Sequence, residues 1–247
     1  MPKISIKAEH LFSIFGFDVT NSLVLAFITA LILIILGIIF KRNIRLMPGR
    51  VQNLLEYAFE EMLNLCDSVL NNREKTEKYF PLVATIFFFV LISNWLGLLP
   101  GVGSLGILEV HGEESILIPF FRAPAADLNF TLAIALISVI AINIFGIVAV
   151  GAVTHFKKFF NFKGPIQFFI GILEFISEIA KIISFSFRLF GNVFAGEVLL
   201  IIIAFLLPFI APLPFLFLEI FVGFIQAFVF AMLTLVFVAI ATLEESH

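Results

Sequence analysis

The sequence predicts an all-α integral membrane protein, with five transmembrane helices, one interfacial amphipathic helix and a long inclined helix hairpin at the C-terminal end. Three observations carry this expectation. Of the 247 residues, 61% are hydrophobic and 34 are Phe, and the mean hydropathy is +1.14, which is more apolar surface than a water-soluble core of this size can hide. Five apolar runs are each long enough to cross hydrocarbon, which takes ~20 helical residues for ~30 Å. A sixth segment, 49–70, is apolar on one helical face only. The whole chain is expected to form a single membrane domain.

Residues 1–20 form a mixed polar and aromatic lead-in. Glu9 and Asp18 lie within it, and it lacks a basic start, an apolar run and a small-residue cleavage site. No signal peptide is therefore expected, and the first span, 22–40, must direct insertion. Lys41, Arg42, Arg45 and Arg50 follow it. Beyond Pro48 and Gly49, the apolar positions Val51, Leu54, Leu55, Ala58, Phe59, Met62, Leu63, Cys66, Val69 and Leu70 repeat at a 3.6 period with acids opposite. That pattern suits a helix lying in the interface. Residues 71–79 read as a polar turn, and a second span covers 81–99, stopped by Pro100 and Gly101.

The loop 101–127 carries Glu109, Glu113, Glu114 and Asp127 against one base, Arg122. His111 with Glu113 and Glu114 reads as a solvated loop in preference to a metal cluster, and Asp127 with Asn129 as a helix N-cap. The third span, 128–153, has no charge and closes on His155, Lys157, Lys158 and Lys163. The fourth, 165–207, would measure about 64 Å as a helix, twice the bilayer core. Having no internal proline, it is expected to stay unbroken, to incline steeply and to pair antiparallel with the last span, 215–243. Pro208, Pro212 and Pro214 break the chain between them. The single cysteine, Cys66, excludes an internal disulfide and a thiolate metal site.

Segments 41–80 and 154–164 hold ten Lys/Arg, against three in the N-terminal tail and the 101–127 loop. By the positive-inside rule, the N-terminus is expected outside and the C-terminus in the cytoplasm. No internal repeat is visible, which counts against inverted-repeat transporters.

Charge inside a span costs ~2.5–3.5 kcal/mol on insertion scales, so each such residue needs a reason. Reading outward from Arg188 at about 100° per residue, Ser184, Lys181, Ser177, Glu174 and Asn192 all fall within about 40° of its direction. This polar stripe cannot face lipid. Glu197 points about 180° from Arg188, about 13 Å along the axis, so a static Arg188–Glu197 pair is disfavoured. A guanidinium stays protonated and suits a fixed electrostatic gate. Glu197 and Glu219 can load and unload protons, and Gln226 lies seven residues beyond Glu219 on one face. Acids on both sides of a central cation suggest two separate aqueous access routes. Asn94 reads as a helix-packing hydrogen bond. No G-x-x-x-x-G-K-[ST] loop is present, so no nucleotide site is expected.

At these residues a family appears. The run Ser186-Phe-Arg188-Leu-Phe-Gly191-Asn192-Val-Phe-Ala-Gly196-Glu197 resembles the signature of subunit a of the F-type ATP synthase. The match continues in Gln226-Ala-Phe, Ser93-Asn-Trp-Leu-Gly-Leu-Leu-Pro100-Gly, Asp127-Leu-Asn-Phe-Thr-Leu and Thr20-Asn-Ser. The resemblance implies that Arg188 faces a rotating ring of c subunits and separates two half-channels. Asn192, Glu197, Glu219 and Gln226 would belong to the outer one, and Glu174, Ser177 and Ser184 to the cytoplasmic one. It further implies a proton as the transported ion, b-type peripheral stalk partners, no cofactor, no metal, no nucleic acid and a bacterial plasma (inner) membrane location. The chain would not be an enzyme by itself. One departure is that family members often carry histidine at one of the positions held here by Glu197 and Glu219. The alternatives are a Na+-translocating version of the same subunit, a self-contained secondary transporter and a non-conducting membrane scaffold.

Overall fold

The computed structural model describes residues 8–14, 16–103, 105–111, 114–159, 164–208 and 210–242. Among these the chain is helical almost throughout, with two short antiparallel hairpins. The helices are α1 (Asn21–Asn43), α2 (Arg50–Leu70), α3 (Arg73–Gly97), α4 (Leu128–Val150), α5 (Ala152–Lys157), α6 (Pro165–Leu206) and α7 (Pro212–Ala241). Of these, α1, α3, α4, α6 and α7 are long and apolar enough to cross a membrane. The all-α membrane architecture follows.

Helix boundaries have local causes. Thr20 caps α1, its hydroxyl accepting from the Leu23 N–H, and Lys41 and Arg42 sit in the last turn, where cations suit the negative end of the dipole. Asp127 caps α4 by accepting from the Asn129 N–H at 3.0 Å, as the sequence leads one to expect. Gly151, at φ +92°, stops α4 in a conformation that a side chain would strain. α6 runs unbroken for 42 residues.

Four sequence expectations need correction. Residues 73–79 are not a polar turn: they form the first turns of α3, because the Asn72 side chain accepts from the Lys75 N–H and starts the helix there. Pro81 thus lies inside α3. The third span ends at Val150, not Val153, owing to Gly151. Pro212 and Pro214 do not interrupt a helix but open α7, since the first turn has no use for their missing N–H groups. The lead-in and the 101–127 loop contain strands: β1 (His10–Ile14) pairs with β2 (Phe17–Thr20), β3 covers Pro100–Gly103, and β4 (Gly106–His111) pairs with β5 (Glu114–Pro119) from Gly106↔Pro119 to His111↔Glu114. Glu113, Lys163 and 243–247 lie outside the described residues.

The chain forms two compact units, and the dividing positions fall between α1 and α2 and inside α3, α4, α6 and α7. Met1–Leu46, Ile86–Thr131 and Phe187–Phe228 make the first, and Met47–Thr85, Leu132–Ser186 and Val229–His247 the second. In the first, Phe87 meets Phe224 edge-on at 5.9 Å and Phe89 lies 6.0 Å from Phe130. Asn94 donates to the Gly223 carbonyl at 3.2 Å and Trp95 to the Ile220 carbonyl at 3.1 Å, tying α3 to α7. The packing role expected for Asn94 is thereby observed. In the second, Tyr79, Ile142 and Val238 form a buried cluster, and Phe185 packs on Phe230 at 5.0 Å and on Phe237 at 5.7 Å. α2 joins α3 through a two-residue corner: Asn71 adopts φ 50°, and Asp67 accepts from the Thr76 hydroxyl at 2.7 Å and from Arg73 at 3.3 Å.

Candidate functional site

In the first unit, the end of α3, the 3₁₀ turn Pro124–Ala126 with the residues before it, α6 and α7 surround a cavity of about 480 Å3. Both Glu197 of α6 and Glu219 of α7 line it, together with Asn94. Spacing explains how two apolar helices deliver acids to one place. Val193, Glu197 and Leu200 share an α6 face, as do Leu216, Glu219 and Gly223 on α7. Gly196 makes the approach possible, because any Cβ there would collide with the Glu219 carboxyl group. The glutamate therefore rests on bare α6 backbone.

The two carboxylates have different partners. Arg122, 8% exposed, pairs with Glu197: its Nε lies 3.4 Å from Oε1, and its Nη2 donates to Oε2 at 3.5 Å. Glu219 is also 8% exposed and has no ion-pair partner among the described residues. Arg122 acts on a second acid as well. Burial pushes the Glu9 carboxyl above its ordinary range, against the opposing pull of the Arg122 guanidinium. The turn that follows Arg122 is dry, with Ala125 and Ala126 fully buried.

Arg188 is half-buried on α6, beside exposed Phe187 and buried Leu189. Asn192 is exposed and Gln226 half-buried, and neither lines the cavity. In the second unit, Ser177 and Ser184 are exposed and Glu174 is half-buried. Ile172, Ile176, Ile179 and Ile183 are exposed on that part of α6, giving an apolar surface with polar insertions. Glu197 and Glu219 are thus brought together as a cavity pair.

Two parts of the arrangement escape sequence reasoning. Arg122 reads as the lone base of an acidic loop, yet it is the cation held against Glu197, 75 positions away. Its place two residues before the short Pro124 turn is the only local hint. In the second unit, Asn143 donates to Glu178 at 3.2 Å and its Oδ1 meets His155 Nε2 at 3.0 Å, while Glu178 pairs with Lys181. Burial first, then the Lys158 charge, hold the His155 imidazole below its ordinary value, with Glu178 opposing.

The sequence profile of the family described as ATP synthase A chain matches residues 23–239, a range that includes both cavity glutamates and Arg188. Among curated relatives, an ATP synthase subunit a of Campylobacter jejuni subsp. doylei is 35% identical over 243 residues, covering 97% of this chain and 94% of that one. That of Campylobacter jejuni subsp. jejuni serotype O:2 is 36% identical over 246 residues, covering 98% and 96%. That of Trichlorobacter lovleyi is 32% identical over 247 residues, covering 99% and 96%.

Proposed function

From the chain's membership of the ATP synthase A chain family, which makes it a multi-pass subunit of the membrane sector and not a nucleotide-binding chain, we propose that it is the proton-conducting stator of the rotary motor. The supporting observation is the cavity that Glu197 and Glu219 share. A proton from outside reaches this cavity, passes to a carboxylate on a ring of c subunits, rides almost a full turn and leaves on the cytoplasmic side along Ser184, Ser177 and Glu174. Arg188 stands between the two routes. Because guanidinium keeps its proton, it can attract an ionised ring carboxylate but cannot shuttle protons across the seal. The driving force is about 2.3 kcal/mol per charge per 100 mV.

The cavity divides labour between its acids. Glu197, tied to Arg122, is the fixed member, and Glu219, with no ion-pair partner among the described residues, is the group that takes up and hands on the proton. Asn192 and Gln226 adjoin this route. The exposed apolar surface of α6 receives the ring, and b-type stalk subunits hold the chain against rotation. The membrane is the bacterial plasma membrane.

Arg188→Ala, reconstituted with the rest of the complex in vesicles, should abolish ATP synthesis while inserting normally. Normal synthesis would refute the gate. Synthesis that needs Na+ at constant pH would identify Na+ as the ion. The ten-to-three basic asymmetry supports an outside N-terminus. A cysteine at Glu113, with Cys66→Ser, should then react with an impermeant thiol reagent on intact cells, and one at Lys158 should not; the reverse pattern would invert the topology.

A further inference from the structure

Lys181 belongs by spacing to the stripe of Ser184, Ser177 and Glu174, yet its side chain is mostly buried while the two serines are exposed. Its ammonium pairs with Glu178 and lies 5.0 Å from the centre of the Phe237 ring on α7. The other Glu178 oxygen accepts from Asn143 of α4, whose Oδ1 faces His155 Nε2. Since the Asn143 nitrogen donates to the carboxylate, its oxygen must accept, so the neutral imidazole carries its proton on Nε2. His155 is 4% exposed and its Nδ1 has no hydrogen-bond partner among the described residues. It is clamped over Gly146, where a Cβ would crowd both the imidazole and the Ala241 carbonyl. Glu174, Glu178 and Lys181 of α6 and Lys158 beside α5 are the charges that act on it.

A membrane-buried ion pair is weak evidence for stability, because apolar residues of similar volume often serve as well. A fixed cation along a proton route, by contrast, has a definite electrical effect: it raises the barrier to any other cation. We propose that Glu178, positioned by Asn143 and His155, is a counter-charge that cancels Lys181 and so keeps the route along Ser184, Ser177 and Glu174 passable to protons. Lys181 links α6 to the Phe237 face of α7, and Glu178 removes the electrical consequence of that link. Asn143 and His155 are positioning residues: Asn143 donates to the Glu178 oxygen that the ammonium does not use, and His155 meets Asn143 Oδ1. This rests on the reading of that stripe as the cytoplasmic half-channel.

The two ends of the pair should behave unequally. In reconstituted complexes, with proton flux scored per assembled complex, Glu178→Gln should slow flux roughly tenfold, the scale of one charge felt across several ångströms of partly polar medium. Lys181→Met should be no slower than the parent, since the anion it leaves attracts protons. Glu178→Gln combined with Lys181→Met should recover to within about twofold of the parent, a change comparable to ordinary departures from additivity. His155→Leu, which loosens the brace but keeps the carboxylate, should fall between the parent and Glu178→Gln. A purely structural pair would instead reduce the amount of assembled complex for both single variants and leave flux per complex unchanged. Flux in Lys181→Met below the parent, or a double variant as slow as Glu178→Gln, would overturn the proposal. Were Arg188→Ala to keep making ATP, the half-channel reading itself would fall; an inactive Arg188→Ala with a failed cycle would remove only the counter-charge.

Discussion

Glu197 and Glu178 are both glutamates of α6 that hold a cation, and the comparison between their surroundings separates two uses of the same side chain. Glu197 meets Arg122 at the wall of a cavity, with a second carboxyl, Glu219, lining the same space. Glu178 meets Lys181 within a chain of side-chain hydrogen bonds through Asn143 to His155. In the first case the protein keeps room for water beside the acids. In the second it commits the carboxylate oxygens to protein donors. The difference teaches that an acid in a span is informative only together with what occupies its remaining hydrogen-bonding directions.

The largest effect expected from breaking this contrast comes from filling the cavity wall. Gly196→Val would drive side-chain atoms into the place of the Glu219 carboxyl group, and proton flux should fall at least as far as in Glu219→Gln. Flux measured beside assembly level in vesicles decides it; parental flux would mean that Glu219 does not need its seat on α6.

A smaller effect sharpens the description of the cavity. Glu219→Gln and Glu197→Gln should each slow flux, the first more than the second. The double variant should be little worse than Glu219→Gln, because groups acting in one relay are not additive. Rate losses that multiply would indicate two independent sites. Glu219→His should retain flux with a moved pH optimum, since imidazole titrates near neutrality.

The smallest effect concerns the hydrogen-bonded chain. His155 is held below the ordinary histidine value of about 6.5. As pH falls past that value the unfolded chain takes up this proton before the folded one does. The His155 contribution to stability is therefore complete above about pH 6.5 and is lost as pH falls through the folded value. The thermal midpoint in detergent should drop between pH 7 and pH 5 in the parent, and less steeply in His155→Gln. Parallel curves would show that His155 does not titrate in this range.

Much of the fold was legible because lipid leaves the backbone few choices. Charge-free runs of the right length became α1, α4 and most of α3, and the absence of proline in 166–206 became one unbroken helix. The errors arose where local signals competed. Charges at Arg73, Lys75 and Lys78 suggested a turn, but a helix tolerates charge wherever water reaches it, and Asn72 supplied the start. Pro81 looked like a beginning because proline favours one. The site was legible as a set of residues and not as an arrangement. Helical spacing put Glu197 opposite Arg188, but no periodicity reports that Arg122 closes on Glu197 or that Gly196 makes space for Glu219. Asn143 and His155 were hidden for the same reason: their roles depend on helices that meet only after folding.

The corner between α2 and α3 also bears on how the chain meets its lipid. With Asn71 left-handed and Asp67 bracing Thr76 and Arg73, no slack residue separates the interfacial helix from the span. A span responds to a thicker or thinner bilayer by changing its tilt. A corner this short leaves no linker to absorb a change in α3 tilt, so such a change would turn α2 with it.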